Sequence, residues 1–472
     1  MTTSDVRPSQ EARFTGPPGR RTSRGTVLAA LATLVLLAAL LGRFAFAGSS
    51  TTVAPAAPPQ VGGAGATAAI NKAQALLQSH PNDPRPLTDL GLAYLSRAKE
   101  TADPAYYTLA DRALQRSSAI APDDLRTMLG RGLLDLSRHE FRSALALGRR
   151  TTAAYPDSAE ALGIVVDAQV ELGRYPDAVR SAQAMVDRKP NLASLSRISY
   201  LRELYGDPTG AIAALTEART AGSGSRADVA YVSVLLGDLL RGQGRLTEAI
   251  RAYDDALASV PTYTPASVGL ARVDAARGNF AAAAGRLQPA VTTLPLPETV
   301  AFYGDVLTAL RRPAAAAQQY ALVRAIETLQ RANGVVVDLE GARFEADHAR
   351  DPDGRPPTEV VALARAALAN RPTIYGHDAL GWALRQTGSP AAALPAANAA
   401  LALGTRDALL YYHRAAIEAD LGMRAAAGRD LRTAFSISPA LMSESALASI
   451  RDLPVARALA ARLGVPVPKV TG

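Results

Sequence analysis

The chain has 472 residues, of which 48% are hydrophobic and 5% aromatic, and it carries a formal net charge of +8 and no cysteine. The lack of cysteine excludes disulfide frameworks, Cys-ligated zinc or iron–sulfur sites, thiol nucleophiles and a lipid-modified cysteine. The apolar content excludes a chain that is disordered throughout, and the length predicts either several domains or a repeat array that grows without enlarging one core.

The positive charge is concentrated at the N-terminus. Residues 1–25 contain five Arg against Asp5 and Glu11, and together with Arg43 they account for half of the net charge. The rest of the charge is spread thinly, which is typical of a solvated surface and not of a phosphate-binding patch. We therefore interpret residues 1–25 as a basic cytoplasmic leader and expect no nucleic-acid partner.

Residues 26–47 are apolar apart from Arg43. A helix of this length spans about 33 Å, which is enough to anchor the chain across a bilayer core of about 30 Å. Alternatively, residues 45–47 (Ala-Phe-Ala) form a small-x-small cleavage site, and the segment is a signal peptide that is removed after Ala47. Because the Arg-rich leader precedes the segment and no charge follows Arg43 before Lys72, both alternatives place the body of the chain outside the cytoplasm. The sequence predicts either a single-pass protein of the cell membrane or a secreted protein.

Residues 48–66 are uncharged and rich in Pro, Gly and Ala, a composition typical of a linker. As a flexible coil, this segment would span roughly 25 Å. An anchored body would therefore stay close to the membrane surface.

A repeated pattern runs through residues 67–440. Residues 230–263 carry it most completely, and the residues that define it there are Leu236, Gly237, Leu240, Ala249, Tyr253, Ala256 and Pro261. This spacing resembles the tetratricopeptide repeat, a helix-turn-helix unit of about 34 residues. The resemblance implies an all-α, right-handed superhelical solenoid of about nine to ten units, which is stabilised by stacking of neighbouring units. It also implies that the first helices line a concave groove, which receives a peptide or a helix of a partner protein.

Small residues and prolines recur in phase with this unit. Alanine is expected on the packed face of each second helix, at Ala178, Ala211, Ala249, Ala283, Ala316, Ala393 and Ala427. Glycine is expected where paired helices approach closely, at Gly130, Gly237, Gly304 and Gly381. Glycine in a left-handed conformation is expected between the two helices of a unit, at Gly173, Gly206, Gly244, Gly278, Gly388 and Gly422. Proline is expected to close units, at Pro122, Pro156, Pro190, Pro261, Pro295, Pro372 and Pro439.

Three segments depart from the regular pattern. Residues 331–357 lengthen one step of the repeat and predict an irregular unit with an insertion. The segment from Lys99 to Pro104 predicts a widened turn in the first clear unit. Residues 441–472 predict a capping helix from Ser443 to Leu463, followed by a tail that contains two prolines.

Candidate catalytic residues are few. The chain has five His, and none of them forms an HExxH motif or a pair at metal-ligand spacing. The densest polar cluster lies in the irregular unit and consists of Glu345, Asp347, His348, Asp351 and Asp353. It lacks the first carboxylate and the final Glu of a calcium loop. We expect no cofactor, no bound metal and no enzymatic activity; the alternative is a metal-dependent hydrolase or another enzyme that uses residues 331–357.

Helical spacing places the predicted partner-binding groove. Tyr375, Asp378, Trp382 and Arg385 fall on one face of a first helix, and Tyr, Trp and Arg dominate binding hot spots. The alternative is that Trp382 packs against the neighbouring unit. The same face of other units contains Tyr200, Tyr231, Asp238 and Arg241, and also Asp167, Glu203, Arg272 and Asp305.

This groove suggests what the chain does. We predict a non-enzymatic scaffold or adaptor that binds a protein or peptide at the outer face of a bacterial cytoplasmic membrane, held there through residues 26–47. The mixed charges of the groove favour an adaptable peptide site. A second alternative is an envelope polysaccharide that stacks on the aromatic side chains.

Overall fold

A computed structural model describes residues 65–336, 339–442 and 453–468. Within these ranges the regular structure is entirely helical, with 22 α-helices and one 3-10 helix. The leader, the apolar segment 26–47 and nearly all of the predicted linker lie outside the described residues. No helix among the described residues is long and apolar enough to cross a membrane.

The helices are α1 (Ala66–Ser79), α2 (Pro84–Thr101), α3 (Ala105–Ile120), α4 (Leu125–Ser137), α5 (Phe141–Ala154), α6 (Ala159–Glu171), α7 (Tyr175–Arg188), α8 (Leu192–Leu204), α9 (Pro208–Ala221), α10 (Arg226–Gly242), α11 (Leu246–Ser259), α12 (Thr264–Ala276), α13 (Phe280–Thr293), α14 (Pro297–Ala309), α15 (Pro313–Ala332), α16 (Leu339–Asp347), α17 (Pro357–Asn370), α18 (Ile374–Gln386), α19 (Pro390–Ala400), α20 (Ala408–Asp420), α21 (Arg424–Ile437) and α22 (Leu453–Leu463), with the 3-10 helix at Pro439–Met442.

The helices from α2 to α21 form consecutive helix-turn-helix pairs. Each even-numbered helix of this series packs more extensively against the helix that follows it than against the one before it. The helix α1 packs on α2 as a half unit, and α22 packs on α21 at the other end. The predicted all-α array of helix pairs is therefore confirmed. Of the predicted capping helix, residues 453–463 form α22, and residues 443–452 lie outside the described ranges.

The small residues occupy their predicted places. The seven expected alanines are at most 1% exposed. The glycines predicted at the turns all have a positive φ, which favours a residue without a side chain. Three further turns place a larger residue in the left-handed region, and these residues are Ala102, His139 and Arg311. No glycine marks these turns, and the sequence pattern indicated only the first of them, within the segment from Lys99 to Pro104.

Tyr253 on α11 is held between two glycines. Its ring is fully buried between Gly237 on α10 and Gly269 on α12. A Cβ atom at Gly237 would lie 2.5 Å from Cε1 of Tyr253, and one at Gly269 would overlap the same ring. The hydroxyl of Tyr253 donates a hydrogen bond to Oδ1 of Asp238 at 2.8 Å. The same arrangement recurs two units later with Gly304, Asp305 and Tyr320.

Two irregular segments differ in form from the regular units. The prediction of a widened turn from Lys99 to Pro104 is wrong, because α2 continues as a helix through Thr101. Its extra length packs Ala98 and Thr101 into the interior. Near residues 331–357, α15 is extended to 20 residues and α16 is shortened to nine, with a long loop before α17.

Segments that are roughly six units of about 34 residues apart in the chain contact each other. Turns inside early helix pairs lie against turns that separate later pairs, and we call this contact the inter-turn seam. Its side-chain hydrogen bonds include four that join residues 197 to 201 positions apart, namely His139–Val336, Tyr175–Ile374, Glu171–Arg371 and Leu204–Thr405. Gly173 and Gly206 have φ of +65° and +74°, and a Cβ atom on either would overlap a carbonyl oxygen of the opposite turn.

Candidate partner-binding face

The predicted stripe on α18 is buried. Tyr375, Asp378, Trp382 and Arg385 do share one face of the helix, but each of their side chains lies in the interior, and Trp382 is only 2% exposed. The neighbouring first helices, α16 and α20, close over this face. The prediction of an open binding stripe at these four residues is therefore corrected: they form contacts between units of the same chain.

Trp382 sits in a layered aromatic stack. Its ring lies parallel to that of His413 on α20, with centroids 3.9 Å apart and an interplanar angle of 13°. Its Nε1 donates a hydrogen bond to Oδ1 of Asp347 at 2.9 Å. Nδ1 of His413 lies 2.8 Å from Oδ1 of Asp378. These contacts match the alternative in which Trp382 packs against the neighbouring unit.

Arg385 also lies against the ring of Trp382. Its guanidinium carbon lies 4.9 Å from the centroid of the Trp382 ring, a cation–π geometry. Its Nε lies 2.9 Å from Oδ2 of Asp420. The stripe on α18 therefore has the residue types of a binding hot spot, but other helices of the same chain cover it.

Four of the other predicted residues, Tyr200, Tyr231, Asp238 and Arg241, are half-buried. Tyr200 and Tyr231 lie on α8 and α10, and burial raises the pKa of both phenols. Asp238 accepts the hydrogen bond from Tyr253 and lies 3.8 Å from Nη2 of Arg241. The structure thus leaves part of the surface of these four side chains exposed.

A buried ion pair links α6 and α8, and sequence reasoning missed one of its members. Arg197 donates two hydrogen bonds to the carboxylate of Asp167, from Nε at 2.7 Å and from Nη2 at 2.6 Å. The side chains are 2% and 5% exposed. Lys99 lies close enough to interact with both, and burial, reinforced by the nearby Arg197, lowers its pKa to about 8. Asp167 was placed on the groove face, but nothing in the local pattern identified Arg197 as its partner.

Arg272 and Glu298 add two further charges to the first helices. The guanidinium of Arg272 lies over the ring of Phe302, 5.0 Å from its centroid, and burial lowers its pKa. Burial, with a smaller contribution from the nearby Glu340, raises the pKa of Glu298 to about 7. The predicted face therefore contains acidic and basic side chains that are partly shielded from water.

Glu203 gives this face a pH-dependent contribution to stability. Burial, with the nearby Asp407 and Asp238, raises its pKa from 4.5 to about 8. The folded state thus holds a proton that the unfolded state releases, so stability is lost as the pH rises from 4.5 towards 8. We expect Glu203→Gln to leave the thermal midpoint unchanged near pH 4 and to raise it near pH 9, as measured by circular dichroism.

The matched control is Glu217→Gln, which removes an exposed carboxylate of the adjacent helix α9. It should leave the pH profile unchanged. If Glu203→Gln and Glu217→Gln give the same profile, Glu203 is ionised at neutral pH in the folded chain and the argument fails.

The polar cluster of the irregular unit does not converge on one point. Glu345 lies 3.0 Å from Nε of Arg324 and 2.8 Å from Nε of Arg355; burial opposes its ionisation, but the two arginines outweigh burial and lower its pKa. Nδ1 of His348 lies 2.7 Å from the carbonyl oxygen of Phe344. Asp347 accepts from Trp382, while Asp351 and Asp353 lie in the loop before α17. Over the described ranges, no group of three or more His, Asp or Glu side chains is arranged to hold a metal ion.

Comparison with known proteins identifies the repeat. Residues 128–193 and 206–264 match one family model of the tetratricopeptide repeat, and residues 240–298 match another. No curated protein sequence matches the chain.

Among solved structures, the chain is similar to the APC/C hetero-tetramer Cut9–Hcn1, with 14% identity over 84% of this chain and 93% of that chain and a TM-score of 0.38. It is similar to a human IFIT1 dimer with PPP-AAAA, with 15% identity over 71% and 77% and a TM-score of 0.44. It is also similar to PilW, a type IV pilus biogenesis factor, with 16% identity over 43% and 92% and a TM-score of 0.37. The family-model matches coincide with the regular helix pairs, and the helix pairs between α4 and α13 therefore include tetratricopeptide repeats.

Proposed function

We propose that the chain is a non-enzymatic adaptor that binds protein partners at the outer face of a bacterial cytoplasmic membrane. Tetratricopeptide repeats generally mediate protein–protein interactions, and the observation that carries the proposal is the match of residues 128–193 and 206–298 to this repeat. The matched units belong to a series of ten helix pairs within the described residues. Such a series offers an extended surface for binding rather than a single catalytic pocket.

The location rests on the sequence. The Arg-rich leader, the apolar segment 26–47 and the uncharged linker favour a membrane tether with the repeats outside the cytoplasm. Cleavage after Ala47 would instead release the repeats as a secreted adaptor.

Photo-crosslinking in cells tests partner binding directly. We expect the photo-reactive amino acid p-benzoylphenylalanine at position 200 or 231 of the full chain to form adducts with one defined protein. The same amino acid at position 205 is the control, because Tyr205 is 42% exposed at the end of α8 and is not on the predicted face. Adducts are identified by mass spectrometry of the membrane and secreted fractions.

The three positions distinguish the outcomes. A shared adduct from positions 200 and 231 that position 205 does not give supports a partner in the concave face. Loss of all adducts at these positions, with the chain folded and expressed, contradicts it. The fraction that contains the adduct also separates the tethered form from the secreted form.

A further inference from the structure

A cavity lies on each side of α5, on the face formed by the second helices α3, α5 and α7, which we call the outer face. The larger cavity, of about 630 Å³, lies between α3 and α5 above α4, and Met128 and Leu147 give it apolar walls. The smaller one, of about 390 Å³, lies between α5 and α7 above α6, where Leu162 and Val165 are apolar. The helix α5 is therefore a ridge with an apolar groove on each side.

This ridge carries two arginines with free charges. Arg150 lines the larger cavity and Arg149 the smaller one, and both side chains are exposed. Neither forms an ion pair with a described residue. Arg131, at the edge of the larger cavity, is by contrast paired with Asp111 at 2.6 Å, and Asp135 in the same cavity accepts a hydrogen bond from Ser143. Positive charge beside apolar walls is complementary to a segment that carries both carboxylates and apolar side chains.

Gln169 gives a second, independent indication of an occupant. Its side chain lines the smaller cavity and is 4% exposed, and its Oε1 accepts no hydrogen bond within the described part of the chain. A buried amide oxygen without a donor costs about 1–3 kcal/mol. A ligand that brings an N–H group into the cavity removes this cost, and a peptide supplies such groups along its backbone.

We propose that the two grooves beside α5 form a docking site for an acidic amphipathic segment of a partner protein. The carboxylates of the segment pair with Arg149 and Arg150, its apolar side chains fill the cavities, and an N–H group reaches Gln169. This inference rests on the proposed adaptor function. It adds a contact on the outer face to the one expected at Tyr200 and Tyr231, because the α18 stripe is covered by the chain's own side chains.

A synthetic peptide tests the chemistry of the site. The probe is a fluorescein-labelled peptide of about 18 residues with Leu and Glu at amphipathic helical spacing. Its binding to the purified full chain is measured by fluorescence anisotropy. We expect saturable binding that weakens with salt, and no binding of the same peptide with Lys in place of Glu.

Two variants probe the two parts of the site. Arg149→Glu with Arg150→Glu should weaken peptide binding by about tenfold or more. The matched control is Arg251→Glu with Arg365→Glu, which makes the same change of charge at exposed positions on α11 and α17 and should bind as the wild type does. Gln169→Met should weaken binding without lowering the thermal midpoint, because Oε1 has no partner in the folded chain to lose.

The outcomes separate this proposal from the adaptor function. Equal weakening by both double variants, binding of anionic phosphatidylglycerol vesicles in place of the peptide, or no saturable peptide binding would each overturn the docking site. In cells, p-benzoylphenylalanine at position 146, in the larger groove, should give a protein adduct that Arg149→Glu with Arg150→Glu removes. Adducts from positions 200 and 231 alone would leave the adaptor function standing and reject the outer site, whereas the absence of adducts from every position would reject both.

Discussion

Arg197→Met is expected to lower the stability of the array by about 3–5 kcal/mol, because it leaves the carboxylate of Asp167 buried without its partner. Both side chains are almost fully buried, so water cannot replace the two lost hydrogen bonds. The measurement is urea unfolding followed by circular dichroism. Since a repeat array can unfold in parts, hydrogen exchange of α6 and α8 locates the loss.

Two further variants test whether the effect comes from the unpaired charge. Asp167→Leu combined with Arg197→Met should recover most of the stability, because apolar residues of similar volume replace buried ion pairs with little loss. Arg180→Met removes an ion pair with Asp177 that is largely exposed, and it should change stability by less than about 1 kcal/mol. If the double variant is no more stable than Arg197→Met, lost packing and not the buried charge explains the result.

Gly269→Ala is expected to destabilise the chain by about 3 kcal/mol, although alanine is the better helix former. The new methyl group would overlap the ring of Tyr253, which is fully buried and is confined on its other side by Gly237. The ring therefore has no space into which it can move. Urea unfolding again gives the change in stability.

The control for Gly269 lies in the next helix. A methyl group at Gly285 on α13 would meet no side chain or neighbouring helix within 4 Å, so Gly285→Ala should stabilise the chain by about 0.5–1 kcal/mol. In a Tyr253→Leu background, the smaller side chain should remove most of the cost of Gly269→Ala. A cost that persists in that background would mean that Tyr253 is not the cause.

The helix pairs were predictable because their determinants are local. Glycine at residues such as Gly173 sets the turn, and alanine at residues such as Ala249 sets the close approach of the helices. Local signals fail where another residue type adopts the same geometry, as His139 does with a φ of 61°. They also do not show whether extra residues lengthen a turn or a helix, which is why the end of α2 was predicted wrongly.

Helical spacing predicted which side chains share one face of a helix, but not whether that face is exposed. Helical spacing placed Trp382 and Arg385 on one face, but whether that face is open depends on His413 and Asp347, which belong to other units. The grooves beside α5 depend likewise on how far α3 and α7 stand apart. The residue spacing within one unit does not determine how closely other helices pack on α18 or how far apart α3 and α7 lie.

Because of the inter-turn seam, the units of this array depend on one another more than the sequence repeat suggests. In an open solenoid, a unit touches only its neighbours, so units can be added or lost with local consequences. Here Arg371 pairs with Glu171 across 200 residues of chain, and every unit between them sets the register of that contact. Deleting one regular unit between these residues would displace each seam contact beyond it by a whole repeat. The number of units between the two sides of the seam is thus fixed by the fold, and a gain or loss of one repeat requires the whole seam to be rebuilt.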